Sequence, residues 1–218
     1  MANTAVLLPA SKLHVRGEQS RFAALPLPAL KPLFYKGLSR GSIVELYGLR
    51  SSGKASLLVH ILAQATRRGE ICAVIDCQDS FHPVWASAAG VRLENLLWVR
   101  CRRNVEHAIR AVDLLLHAGG FGVILLDLCE TPQRVLQRIP LSYWYRFRRA
   151  VEHTPTILLV CAETPQAKAC CVSSIQTRHK AFHWTGKAPF LLLRGLEMNV
   201  LLRKPVRENS ALAIHAVA

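Results

Sequence analysis

Acidic side chains are scarce in this chain. Its 218 residues hold 14 Asp and Glu against 28 Lys and Arg, a formal charge of +14 at pH 7. That excess goes well beyond what solubility requires and points to a polyanionic partner, nucleic acid first, with an anionic membrane or an acidic protein as the other options. Long apolar runs are missing too. The longest, residues 123–128 and 156–162, are of strand length, which excludes a transmembrane helix among them. The opening MANTAVLLPASKLHVRG lacks the basic leader of a secretory signal, so a cytoplasmic location is expected. No internal repeat is present. The seven cysteines are odd in number, and Cys72, Cys77, Cys101, Cys129 and Cys161 sit inside apolar runs, as small buried hydrophobes of a reducing compartment do. The adjacent Cys170 and Cys171 lack the spacing of a zinc site and read as two helix positions, one of them buried.

What is present is a globular composition, 51% hydrophobic and 19% charged, with material for one substantial domain. Residues 1–40 form an extended arm that contains Pro9, Pro26, Pro28 and Pro32. Its run ALPLPALKPLF either lies over a neighbouring surface or is a solvated tail. The core spans 41–205 and a tail 206–218. Within the core, apolar runs at 43–47, 71–76, 96–101, 122–127 and 156–162 read as buried parallel strands. Helices are expected at 56–68, from Pro83 to Gly90, at 105–118 capped by Asn104, at 131–139 and at 141–153. Alternation of this kind predicts an α/β fold with a mostly parallel sheet flanked by helices. Residues 163–180 read as a mobile loop or exposed helix. The stretches after them read as short strands, turning at Gly186-Lys187 and Gly195 and adding antiparallel strands at the C-terminal end.

The chemistry concentrates in ELYGLRSSGKAS, residues 45–56. Gly48 and Gly53 bracket four residues and Lys54 follows, between an apolar strand and an amphipathic helix. This is the context of a P-loop, in which backbone N–H groups and a helix N-terminus surround phosphate oxygens and the lysine reaches the outer phosphates. Gly48, Ser51, Ser52, Gly53, Lys54, Ala55 and Ser56 are the candidate phosphate-binding residues, and ATP or ADP the expected ligand. One position departs from the pattern. Ala55 stands where a Ser or Thr hydroxyl would ligate Mg²⁺, and Ser56 comes one place late. Asp127, ending GVILLD, is the candidate second carboxylate for Mg²⁺. A carboxylate that polarises the attacking water belongs just after the 71–76 strand, where Gln78 and then Asp79 stand. Gln cannot act as a general base, so no catalytic residue is assigned and Mg²⁺ binding is in doubt.

VELYGLRSSGK, VIDCQDSFHPVWASAAGVRLENLLWVR and GVILLD resemble, in that order, the parts of RecA-like recombinases across residues 35–205. The resemblance implies that Gln78 replaces a catalytic glutamate and Ala55 a Mg²⁺-ligating Thr. His82 and Trp85 fall where that family carries an acidic residue and an adenine-contacting aromatic; Trp85 either stacks on a base or is core. Glu163 falls near a γ-phosphate-sensing glutamine, and Arg203 and Lys204 near residues that reach a neighbouring subunit's nucleotide, which implies self-association. Size, basicity and eroded motifs make the chain most similar to the ImuA-type accessory proteins of bacterial inducible mutagenesis. That implies a nucleoid-associated protein that binds single-stranded DNA, a Y-family-like polymerase partner and a replicative-type polymerase in translesion synthesis. The rivals are a DNA-stimulated ATPase that recruits Ser56 and Asp79, and a protein-interaction inhibitor of the cell-division-inhibitor type.

Basic clusters complete the reading. One follows the third strand: Arg100, Arg102 and Arg103. A second, Arg146, Arg148 and Arg149, lies among Tyr143, Trp144, Tyr145 and Phe147; a third is Lys168, Arg178, His179 and Lys180. The resemblance places the second and third in DNA-binding loops, where cations track phosphates and aromatics stack on bases. A solvated helix face with half-buried aromatics is the alternative.

Overall fold

A computed structural model describes residues 22–23, 33, 37–205 and 211–217. Most of the arm expected over 1–40 lies outside the described residues. The short strands β1 (Phe22–Ala23) and β2 (Leu38–Ser39) pair antiparallel. The body alternates β3 (Ser42–Tyr47), α1 (Lys54–Arg67), β4 (Cys72–Asp76), α2 (Pro83–Ala88), β5 (Leu96–Arg100), α3 (Val105–Ala118), β6 (Val123–Asp127), α4 (Gln133–Leu136), α5 (Leu141–Val151) and β7 (Ile157–Ala162). The chain ends in β8 (Ser173–Thr185), β9 (Leu192–Lys204) and β10 (Ala211–Val217). Eight strands form one sheet in the order β10-β9-β8-β3-β7-β6-β4-β5. From β8 to β5 every pairing is parallel; β8 with β9 and β9 with β10 are antiparallel.

The strands β3, β4, β6 and β7 are buried on both faces, which is why they read as continuous apolar runs. Alternate residues serve opposite layers. Val44, Leu46, Val74, Leu125 and Leu159 meet Leu57, Leu58 and Leu62 of α1. Ile43, Ile75, Ile124, Leu126 and Leu158 meet Ile109, Val112 and Leu116 of α3, and Trp144, Phe147 and Val151 of α5. Two signals of helix onset hold in the structure. Asn104 Oδ1 accepts the His107 N–H at 3.1 Å, and Pro83 occupies the first turn of α2 while the His82 imidazole accepts the Trp85 N–H at 3.2 Å.

The C-terminal third differs from expectation. Residues 163–180 are neither a mobile loop nor an exposed helix: a single turn at Lys168–Cys170 leads into β8, whose first residues pair with Val44 to Tyr47 in the middle of the sheet. Few large apolar residues mark this stretch because its buried positions are mostly small or polar, Ser173, Ser174 and Thr177 among them; two of these hydroxyls find distant partners: Ser174 Oγ donates to Glu45 Oε2 at 3.2 Å and Thr177 Oγ1 meets Ser52 Oγ. Cys170 and Cys171 are both buried, against the expectation of one. Gly186, at φ 102°, does turn the hairpin, but Gly195 is not a turn; it lies within β9 and pairs with both neighbours. Of the segment assigned to a tail, Ala211–Val217 extends the sheet as β10.

Candidate nucleotide cleft and basic surfaces

At the carboxyl end of β3 the chain turns through Gly48 to Gly53 into α1. A Cβ at Gly48 would sit 2.4 Å from the Thr177 carbonyl oxygen, so the loop closes against β8 only with glycine there. Gly53 adopts φ 86°, and a Cβ on it would meet Met198 Sδ at 2.8 Å. Ser52 Oγ and Thr177 Oγ1 share a hydrogen bond of 2.8 Å in the interior, so the loop and β8 are tied together. Lys54 is only 7% exposed; its ammonium donates to the carbonyls of Gly48 at 2.8 Å and Leu49 at 3.2 Å. The N–H groups of Lys54, Ala55 and Ser56, in the first turn of a 14-residue helix, bond to no other described backbone group. All three residues line a cleft of about 540 Å³. Free N–H groups, a helix N-terminus and a lysine on one concave surface fit a phosphate chain.

Of the expected site residues, Ser51, Ser52, Gly53, Lys54, Ala55, Ser56, Trp85 and Asp127 line this cleft, while Gly48 supports the loop from beneath. Trp85 is 47% exposed at the mouth, so its reading as a core residue is corrected. Phe81 and His82 line the same wall, on a turn held by Asp76, whose buried carboxylate accepts the N–H groups of Ser80 at 3.0 Å and Phe81 at 2.9 Å and the Trp98 indole at 3.2 Å. Gln78 lies outside the cleft lining and donates to Thr131 Oγ1 at 3.0 Å. Asp79 is turned to Arg100 at 3.3 Å. The carboxylates that do face the cleft are Asp127, Glu130 and Glu163, of which Glu130 pairs with Arg50 at 2.9 Å.

Three features of the cleft carried no signal in the sequence. The far wall comes from the hairpin, through Phe182, Leu193 and Leu196. Beside Asp127 lie the thiols of Cys129 and Cys161, 3.2 Å apart. The Cys129 N–H donates to Asp127 Oδ1 at 2.9 Å. Burial pushes the Asp127 carboxyl up from its ordinary range, opposed by that N–H. The Cys129 contact, followed by burial, pushes the Cys161 thiol well up. Mg²⁺ does not fit this donor set. So hard an ion prefers oxygen ligands, and here Ala55 offers no hydroxyl while the carboxylate of Asp127 has two thiols beside it.

Residues 29–133 match the family model described as the RecA N-terminal domain. Just under half of this chain thus resembles that domain. Relatives include Protein RecA of Brucella anthropi, of Brucella canis and of Brucella melitensis, each 42% identical over 91 residues. The alignment covers 42% of this chain and 25% of each relative; this chain therefore matches about a quarter of their length. The RecA-like stretch carries β3, the loop, α1, α2 and β6, and with them most of the cleft.

The expected DNA-binding residues do not form one surface. Arg146 is engaged by Asp113 of α3, and Lys180 pairs with Glu197 at 2.9 Å. Arg148 and Arg149 project from α5 into solvent, Lys168 is exposed on the turn before β8, and Arg178 is exposed on β8. Nor are the α5 aromatics a stacking platform as a group: Trp144 and Phe147 are core, ring to ring at 6.0 Å, while Tyr145 is exposed. A concentrated basic feature lies elsewhere. A groove of about 800 Å³ between the start of α3 and the α4–α5 connection is lined by Arg102, Arg103, Arg110 and Arg138. None of these has an acidic partner among the described residues. Arg102 and Arg103 belong to the first cluster read from the sequence; Arg110 and Arg138 lie too far along the chain to be read with them.

Proposed function

We propose that this chain holds ATP or ADP in the cleft without efficient turnover and acts as a DNA-binding accessory subunit in bacterial error-prone translesion synthesis. The observation that carries the reading is the separation of binding from chemistry. The loop donors and Lys54 face the cleft, whereas Ala55 offers no metal ligand and Gln78 is bonded away to Thr131. The groove of unpaired arginines supports the DNA part, since such cations gain affinity by releasing counterions from phosphates. In this reading Arg148, Arg149, Lys168 and Arg178 extend the contact, and the exposed hairpin meets a Y-family-like polymerase, a replicative-type polymerase or a second copy of the chain. A fluorescent ATP analogue is expected to bind the wild-type protein and at least about tenfold more weakly the Lys54→Ala variant, with no phosphate release above background on adding single-stranded DNA. Single-stranded DNA binding is expected to weaken steeply with salt. DNA-stimulated hydrolysis lost in Lys54→Ala would refute the reading.

The DNA-stimulated ATPase remains the second reading because of Glu163. It lines the cleft with no hydrogen-bond partner among the described residues, which leaves it free to orient water. Hydrolysis abolished by Glu163→Gln would establish that reading.

A further inference from the structure

The close group of Asp127, Cys129 and Cys161 lines the cleft, and the proposed function makes no use of its two thiols. Asp127 and Cys161 are direct neighbours on the paired strands β6 and β7, and Cys129 returns beside them because its own N–H bonds to the Asp127 carboxylate. One ligand atom from each lies within 4.8 Å of the other two. All three residues line the cleft, so one side of the cluster is open to an incoming ion and to a further ligand.

We infer that Asp127, Cys129 and Cys161 form a site for a soft divalent cation such as Zn²⁺, in the part of the cleft where a hard, oxygen-ligated ion has lost its protein hydroxyl. The donor set is two sulfurs and one carboxylate oxygen, a combination that suits zinc and thiophilic ions and disfavours Mg²⁺. A tetrahedral ion bound here has a fourth position facing the cleft, available to water or to a phosphate oxygen. Binding forms two metal–sulfur bonds and one metal–oxygen bond and releases the two thiol protons to solvent through the open side. The thiolates and the carboxylate carry three negative charges between them, balanced by two on the ion and one on Lys54, whose ammonium lies close enough to act on both Asp127 and Cys161. The sulfurs, 3.2 Å apart without an ion, separate slightly to take one between them. Cys129 is half-buried, so access does not require unfolding.

The test uses the whole chain in a non-thiol reductant, without nucleotide, so that its outcome is independent of nucleotide binding. Titration with Co²⁺ is expected to produce a thiolate-to-cobalt charge-transfer band that saturates, persists in excess Mg²⁺ and is displaced by Zn²⁺. Cys129→Ala, a substitution at the less buried thiol, is expected to remove the band and weaken Zn²⁺ binding at least about tenfold. Cys170→Ala, at a buried thiol outside the cluster, is expected to keep the band. Absence of the band in the wild-type chain, its persistence in Cys129→Ala or its loss in Cys170→Ala would each overturn the assignment. Should Cys129→Ala fold poorly, Asp127→Asn serves instead, with a shifted band and weaker Zn²⁺ binding expected and an unchanged titration counting against the site.

Discussion

The parallel part of the sheet and the C-terminal hairpin meet at β3, and they are built on different terms. β3, β4, β6 and β7 are sealed between helices and almost wholly apolar. β8 begins in that interior on serine and threonine hydroxyls, then leaves it; by the hairpin tip Trp184, Phe190, Leu191 and Leu192 all stand in solvent. The first region is held by packing of its own elements. The second is held toward its base, through Thr177 against the loop and Met198, Val200 and Leu202 in the core, and the apolar side chains at its tip are exposed among the described residues. One part is a scaffold that carries a ligand cleft; the other is an extension whose apolar end is available to a partner.

Substitutions can sharpen or break this contrast. The largest effect is expected in the parallel part: Phe147→Ala, fully buried against Trp144, should cost about 3–5 kcal/mol in denaturant unfolding. Met198→Ala tests the base of the hairpin. It is 1% exposed, and a loss of about 2–4 kcal/mol is expected; a loss near zero would mean that β9 is merely laid on the surface. Gly48→Ala should cost about 1–3 kcal/mol through the collision with Thr177 and weaken the fluorescent ATP analogue as well. At the tip, Phe190→Ser, where the ring is 85% exposed, should change stability by less than about 0.5 kcal/mol. A tip substitution as costly as Met198→Ala would abolish the distinction.

The two parts also differ in how far they could be read in advance. Strands sealed on both faces announce themselves as apolar runs, and Asn104, Pro83, Gly48 and Gly53 mark where helices and turns begin, so the order of elements through β7 and the strand–loop–helix turn at 48–53 were legible. The start of β8 was not. Its burial depends on Glu45 and Ser52, more than a hundred residues earlier, to satisfy hydroxyls that look like those of a loop. For the same reason the cleft was half visible. Its floor is local sequence, but its far wall of Phe182, Leu193 and Leu196, and the meeting of Cys129 with Cys161, exist only once β7 and the hairpin are in register. Gln78 was legible as a glutamine just after the 71–76 strand, but its bond to Thr131 and its place outside the cleft lining appear only in the structure.

The hydrogen bond between Ser52 and Thr177 joins the phosphate loop to the strand that becomes the hairpin, with little between them to absorb a shift. A ligand that favours one position of Ser52 therefore favours one position of β8, and a partner gripping the tip biases the loop in return. Reciprocity requires the two effects to be equal in free energy. Were the cleft to take a ligand and the tip a partner, this single bond would be the joint between them.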